Sequence, residues 1–396
     1  DAERSTVICS YHNFSGEVVD LQQVYQRMRS LGSNIVKIAV NVNDITDTIP
    51  LWKLLKDAVA DGQAIIPIGM GEAGKSTRIL SLARGASMTY SSLTGGRETA
   101  PGQISADDLA NVYRVKDLNS GTAVYGIVAG DTSYSVSPYM HNAAFKTAGL
   151  NSVFVPLQVA DLGEFIRRMV VPASREIDLN FEGFSVTNPH KQTIIQYLDE
   201  IDTAAREIGA VNTVNIVDGR LCGYNTDAEG FIRPLKKKFG DLSGVKAAVI
   251  GAGGAARACI YSLLKERAEV TVFARDPQKA AALGTDLGVQ MRRLSGDDGL
   301  GEFDIVVNTT PIGTQGKSVD QTVATAEQLR GVKLVYDLTY NPLETRLLRE
   351  ASVAGAETLG GMEMLIAQGE RQFEIWTGLA APAEQMRTAV MKRLGL

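Results

Sequence analysis

KAAVIGAGGAARACIYSLL, residues 246–264, is an apolar strand, a GxGxxA turn and a helix in immediate succession. Gly251 permits the tight turn, Gly253 lets the backbone approach a pyrophosphate, and the positive end of the following helix attracts its charge. The fingerprint alone is weak; the strand–loop–helix context around it is what gives it weight. The next strand, EVTVFA (269–274), ends in Arg275, where an NAD-binding unit presents Asp or Glu. An arginine there suits a ribose 2′-phosphate, so the residues favour NADP over NAD. Asp276, directly behind, opposes that reading, and Lys279 partly restores the positive potential. FDIVVNTTPIG (303–313) and KLVYDLTYNP (333–342) supply two further strands with loops at their ligand-facing ends.

Working upstream, SVTNPHK (185–191) sets a lysine just past the apolar run FEGFSV (181–186) and a proline-marked turn. That is where open α/β sheets gather their ligands. GYNTDAEG (223–230) supplies Asp227, a carboxylate to stand opposite Lys191. Beside a nicotinamide the two suffice for a reversible ketone reduction, because an alkoxide forming next to an ammonium takes its proton. YGIVAGDTSYSVSPYMHNAAFKTAGL (125–150) is a strand, a Ser-rich turn and a helix. Ser135 and Ser137 offer two hydroxyls to a polyol or carboxylate, although on the residues alone helix capping is the favoured reading. VFVPLQV (153–159) and GAVNTVNIV (209–217) extend a sheet with alternating helices. Asn212 is either an amide that reads a substrate hydroxyl or a turn residue satisfying its own backbone.

The chain has 396 residues, enough for two or three domains, with a net charge of −5 that gives no reason to expect a nucleic-acid or anionic-membrane partner. Its cysteines, Cys9, Cys222 and Cys259, lack metal spacing, so neither a metal site nor a disulfide framework is expected. No apolar run approaches a membrane span and no signal peptide opens the chain, which fits a cytoplasmic or plastid enzyme. The first residue is Asp1 and not Met, so the chain is expected to continue upstream.

Residues 1–118 have strand–helix periodicity, with strands expected at 5–11, 34–41, 64–70 and 86–93, helices near 17–31 and 49–60, and a helix over 106–119. Polar residues at the strand ends match a (β/α) barrel, whose chemistry lies at that face. Four units make half a barrel, with two open sheet edges that need covering. GMGEAGKS (69–76) satisfies the P-loop pattern, but no strand ending in a magnesium-binding Asp accompanies it, so a Gly-rich βα loop is the better reading.

SYHNF (10–14), VKIAV (36–40), KSTRILSLAR (75–84) and above all TAPGQIS (99–105) resemble the C-terminal half of type I 3-dehydroquinate dehydratase. The resemblance implies a Schiff base on Lys37, proton relay by His12, a carboxylate-binding Arg78, and a substrate-gripping loop with Thr99 and Gln103. An iminium acidifies the neighbouring C–H, and a histidine titrating near neutrality relays that proton. The family's acidic and arginine residues from earlier strands have no counterpart here, so impaired dehydratase activity is expected.

SYSVSPYMHN, SVTNPHK, GAVNT, GYNTDAEG, GAGGAARA, NTTPIG, YDLTYNPLET and GGMEMLIAQ, in that order, resemble shikimate dehydrogenase over about 119–396. The resemblance makes Lys191 and Asp227 the catalytic pair. It assigns Ser135, Ser137, Thr187, Asn212, Tyr340 and Gln368 to shikimate. Gly251, Gly253, Gly254, Ala255 and Arg275 would hold NADP, with Asn308 and Thr309 lining its cleft and Gly361 near the nicotinamide. His141 and His190 are left as structural. FARD (273–276) departs from the family's Asn-Arg-Thr.

The expected architecture is α/β: half of a (β/α)8 barrel (1–118), a substrate domain (119–225 plus 360–396) and a Rossmann-type domain (226–359). The partners are small molecules: shikimate, 3-dehydroshikimate and 3-dehydroquinate. A quinate/shikimate dehydrogenase with relaxed cofactor use is the alternative.

Overall fold

The computed structural model describes residues 5–15, 20–96, 98–275, 277–293, 299–316 and 318–396. Asp276 and the side chain of Lys279 lie outside the described residues. The chain divides into two compact units. The first is Asp1–Glu200 with Val214–Cys222 and Thr388–Arg393; the second is Ile201–Thr213 with Gly223–Arg387 and Leu394–Leu396.

The first unit begins with a parallel sheet of β1 (Ile8–Asn13), β2 (Ile35–Asn41) and β3 (Ala64–Met70), in that spatial order. β2, IVKIAVN, is apolar at almost every position, as a strand covered on both faces must be. Asp20 caps the helix Leu21–Ser30 by accepting the Gln22 and Gln23 N–H groups at 3.0 and 3.1 Å. The helix Ile49–Ala60 carries proline in its first turn and buries Leu51, Leu54, Leu55 and Ala58.

Two expected elements differ. The run 86–93 forms no strand: Ser87 bonds to the Ile65 carbonyl through both its N–H and its hydroxyl, and beyond that only Ser92 is bridged, to Ser105. β3 is the edge of its sheet, and a Ser/Thr-rich run beside it has no second neighbour to complete a ladder. The expected helix over 106–119 contracts around a π-helical turn, Asp108–Val112, and Arg114 at φ 51° turns the chain away.

A six-stranded sheet follows, ordered β5-β4-β6-β8-β9-β7, its strands falling mostly in the first unit. These are β4 (Ala123–Ala129), β5 (Ser152–Gln158), β6 (Phe181–Val186), β7 (Glu200–Ile201), β8 (Thr213–Val217) and β9 (Arg220–Tyr224). β4 pairs in parallel with both β5 and β6.

The second unit holds a parallel sheet of β10 (Lys246–Ile250), β11 (Glu269–Ala274), β12 (Gln290–Arg293), β13 (Ile305–Asn308), β14 (Leu334–Asp337) and β15 (Glu357–Gly360). Its order is β12-β11-β10-β13-β14-β15, so the direction of winding reverses between β10 and β13. Register places Ile250, Asn308, Asp337 and Gly360 in one row at the carboxyl ends. Val249, Val307 and Tyr336 fill the core beneath, Tyr336 stacked on Phe231 with centroids 5.2 Å apart. Phe231 lies on the helix Thr226–Phe239, which meets the helix Gly361–Thr377 very closely. A Cβ at Gly230 would lie 2.6 Å from that of Gln368, so the crossing requires glycine.

Candidate active sites

In the first unit, Lys37 projects its Nζ over the Tyr90 ring, 4.4 Å from the centroid. Burial, and then the Arg78 charge, lower its pKa. His12 is lowered likewise, by burial first and by the Lys37 ammonium second, so the three expected side chains share one electrostatic neighbourhood. Arg78 is 2% exposed, and desolvation brings its pKa down to about 10. Its Nη1 donates to the Tyr90 carbonyl at 3.2 Å, while its Nε has no hydrogen-bond partner. A buried guanidinium with an unspent donor suits a carboxylate. Gln103 Oε1 accepts from the Thr99 N–H and hydroxyl at 2.7 and 3.2 Å, so the structure joins those two residues as well. Tyr90 was missed because its stretch was assigned to a strand.

The P-loop-like stretch spends its donors internally. Gly69 N–H bonds Thr77 Oγ1, Gly71 N–H bonds the Pro101 carbonyl and Gly74 N–H bonds the Gly71 carbonyl, while Lys75 pairs with Glu72 at 2.6 Å.

Lys191 is half-buried on the turn that follows β6. Backbone bonds from Thr187 N–H to Val128 O and from His190 N–H to Thr187 O fix that turn. His190 is buried, with Nε2 2.7 Å from the Val159 carbonyl, in the structural role expected of it. Ser135 Oγ accepts the Ser137 N–H at 3.2 Å in the turn leading into the helix Ser137–Thr147, whose N-cap residue, Val136, makes no side-chain capping bond.

In the second unit, Asp227 occupies the first turn of the helix Thr226–Phe239, which Asn225 caps by accepting the Ala228 N–H. A carboxylate there is favoured by the helix dipole. Asn212 is fully engaged. Its Nδ2 donates to Asp227 Oδ1 at 2.8 Å and to Thr226 Oγ1 at 2.9 Å, and its Oδ1 accepts from the Thr226 N–H and the Thr213 hydroxyl. Gln372, 2% exposed, braces this group through Thr213 Oγ1 at 3.1 Å and the Asn212 carbonyl at 3.3 Å. Sequence reading missed Thr213, Thr226 and Gln372; the one signal was that Gln372 follows Gln368 by a single helical turn.

The dinucleotide fingerprint passes a direct test of fit. Gly251 has φ 122°, and a Cβ there would meet Thr309 Oγ1 at 2.3 Å. Gly253 has nothing within 4 Å of its Cβ position, and no side chain caps the helix Gly254–Lys265. An open glycine followed by an uncapped helix start suits a pyrophosphate. Ala255 lies in that first turn, and exposed Arg275 directly follows β11. Thr309 Oγ1 donates to the Ile250 carbonyl at 2.8 Å, tying the turn after β13 to the glycine loop. Tyr340 is half-buried after β14, Gly361 N–H bonds the Thr339 carbonyl, and Gln368 Nε2 bonds the Leu365 carbonyl.

Family models match along the chain: type I 3-dehydroquinase over residues 1–120, shikimate dehydrogenase substrate binding domain over 127–214, shikimate/quinate 5-dehydrogenase over 234–340, and shikimate 5′-dehydrogenase C-terminal domain over 361–391. The bifunctional, chloroplastic 3-dehydroquinate dehydratase/shikimate dehydrogenase of Arabidopsis thaliana is 36% identical over 397 residues, covering 96% of this chain. The chain spans 64% of that relative's length. A shikimate dehydrogenase (NADP+) of Methanocaldococcus jannaschii is 40% identical over 285 residues, covering 70% of this chain and 99% of the relative. A crystal structure of a Thermus thermophilus shikimate 5-dehydrogenase with NADP(H) and shikimate superposes with a TM-score of 0.59 at 34% identity, covering 68% of this chain and 99% of that one.

Proposed function

The chain belongs to the shikimate dehydrogenase family, with a type I 3-dehydroquinase segment ahead of that region, and we propose that it interconverts 3-dehydroshikimate and shikimate with NADP. The observation that carries this reading is the buried, amide-held Asp227 in the same unit as an open glycine turn at the reversal of strand order. NADP held at the glycine turn would supply hydride-transfer chemistry at the substrate carbon. Lys191 gives its proton to the carbonyl oxygen as that oxygen gains charge, and takes it back in the oxidising direction. Asp227, fixed by Asn212, holds the hydroxyl network around that proton. Ser135, Ser137, Thr187, Tyr340 and Gln368 receive the remaining hydroxyls and the carboxylate; Arg275 receives the 2′-phosphate.

In residues 1–118, Lys37 and His12 would supply Schiff-base lyase chemistry with Arg78, Thr99 and Gln103 on the substrate, an activity expected to be impaired in this chain. Together the two segments would make the protein bifunctional, the dehydratase product being the ketone that the reductase consumes. The three-part division at 118, 225 and 359 follows from this assignment. Among the described residues no helix is long and apolar enough to cross a membrane, and a cytoplasmic or plastid setting accords with the chloroplastic relative.

The test is oxidation of shikimate by this chain with NADP+ or NAD+, alongside quinate. Turnover on shikimate with NADP+ supports the assignment, a preference for quinate selects the alternative, and inertness toward both refutes it.

A further inference from the structure

Asp337 ends β14 and is completely buried, yet nothing in the reaction above uses it. Thr345 Oγ1 donates to one carboxylate oxygen at 2.6 Å; Asn308 Nδ2 at 2.9 Å and the Thr339 N–H at 3.0 Å donate to the other. None of these donors is a cation, and desolvation raises the Asp337 pKa.

The two donors on the shared oxygen belong to loops that matter. Asn308 folds the turn after β13: its Oδ1 accepts the Thr310 N–H at 3.0 Å and hydroxyl at 2.7 Å, and its Nδ2 also reaches the Ile312 carbonyl at 3.2 Å. That turn adjoins the reversal between β10 and β13, the crevice where open sheets hold dinucleotides. Thr339 belongs to the loop after β14, which carries Tyr340 and whose Thr339 carbonyl accepts the Gly361 N–H.

We propose that Asp337 is a positioning residue for the dinucleotide, clamping Asn308 and Thr339 so that the loops after β13 and β14 keep one shape for the nicotinamide end. The inference rests on the NADP assignment. An acceptor at 337 is what the clamp needs. Asp337→Asn keeps one oxygen for Asn308 and Thr339, and the Thr345 hydroxyl can turn to accept from the new amide. Asp337→Ala keeps none.

The test is calorimetric titration of the full chain with NADP+ and, separately, with shikimate, on variants whose circular dichroism matches wild type. Asp337→Ala is expected to weaken NADP+ binding at least tenfold with shikimate binding within twofold, and Asp337→Asn to restore NADP+ binding to within threefold. If Asp337→Ala does not fold, Asp337→Ser withdraws the acceptor from Asn308 and Thr339 while leaving a hydroxyl in the pocket. A tenfold loss specific to NADP+ supports the inference there, and wild-type affinity overturns it. The inference is also overturned if Asp337→Ala binds NADP+ normally, or loses both ligands alike. Wild type failing to bind NADP+ would instead sink the cofactor assignment, and this inference with it.

Discussion

Asn212 holds Asp227 in place: its side-chain amide donates to Asp227 Oδ1 over 2.8 Å, and both residues are almost wholly buried. Both amide hydrogens are spent inside the protein, so Asn212 acts on the carboxylate before it acts on any ligand. Removing it takes a donor from a buried carboxylate, which costs ~1–3 kcal/mol. Asn212→Ala is expected to lower the unfolding free energy by that amount and to reduce kcat/KM by about tenfold or more. Chemical denaturation and steady-state kinetics check the two effects. Unchanged stability would show that the bond contributes nothing.

Gly251 has no room for a side chain. A methyl group there would overlap the Thr309 hydroxyl, and φ 122° is strained for any residue with a Cβ. Gly251→Ala is expected to weaken NADP+ binding about tenfold, ~1.4 kcal/mol, while shikimate affinity changes little. Equilibrium titration with each ligand reads this directly, and full retention of NADP+ affinity would count against the glycine turn as the pyrophosphate site.

Lys37 sits where burial and the Arg78 guanidinium both favour its neutral amine. Because the shift is downward, its nucleophilic form appears at lower pH than that of an ordinary lysine. Competitive labelling with an amine-directed reagent across pH, mapped by peptide mass, is expected to show Lys37 reacting ahead of the surface lysines. Labelling of Lys37 in step with them would remove the basis for a Schiff-base role.

Glu176 bridges Arg168 and Lys53, joining a side chain from the dehydratase-like segment to two from the substrate region. Hydrogen bonds, from Arg168 first and Lys53 second, hold its pKa at about 2, below the ordinary 4.5. A depressed carboxyl contributes stability that is full above its unfolded value and fades as pH falls toward the folded one. The groups are solvent-screened, so the contribution at neutral pH is about 0.5–1 kcal/mol. Glu176→Gln is expected to lower Tm at neutral pH and to match wild type near pH ~2. A difference that persisted in acid would contradict the ionic origin.

Much of this was legible from residues alone. β10, β13 and β14 are continuous apolar runs ending in polar loops, the mark of parallel strands covered on both faces. Lys191 stood out because it follows such a run at the ligand-facing end, and Asp227 because GYNTDAEG offered a carboxylate to stand opposite it. The run 86–93 misled because its composition resembles a strand, whereas a strand requires a neighbour that composition does not reveal. Gln372 was invisible for a related reason: it reaches Asn212 from 160 positions away, through a helix crossing set by Gly230. Asp337 was quoted within a motif, but only burial marks it as costly.

The most direct measurement is NADP+-dependent shikimate oxidation by Lys191→Ala beside wild type. Loss of the proton-transferring ammonium is expected to lower kcat by about 10²–10⁴ while the KM for shikimate and the affinity for NADP+ move only a few-fold. A variant that turns over at close to the wild-type rate would contradict the assignment of Lys191, and with it the mechanism.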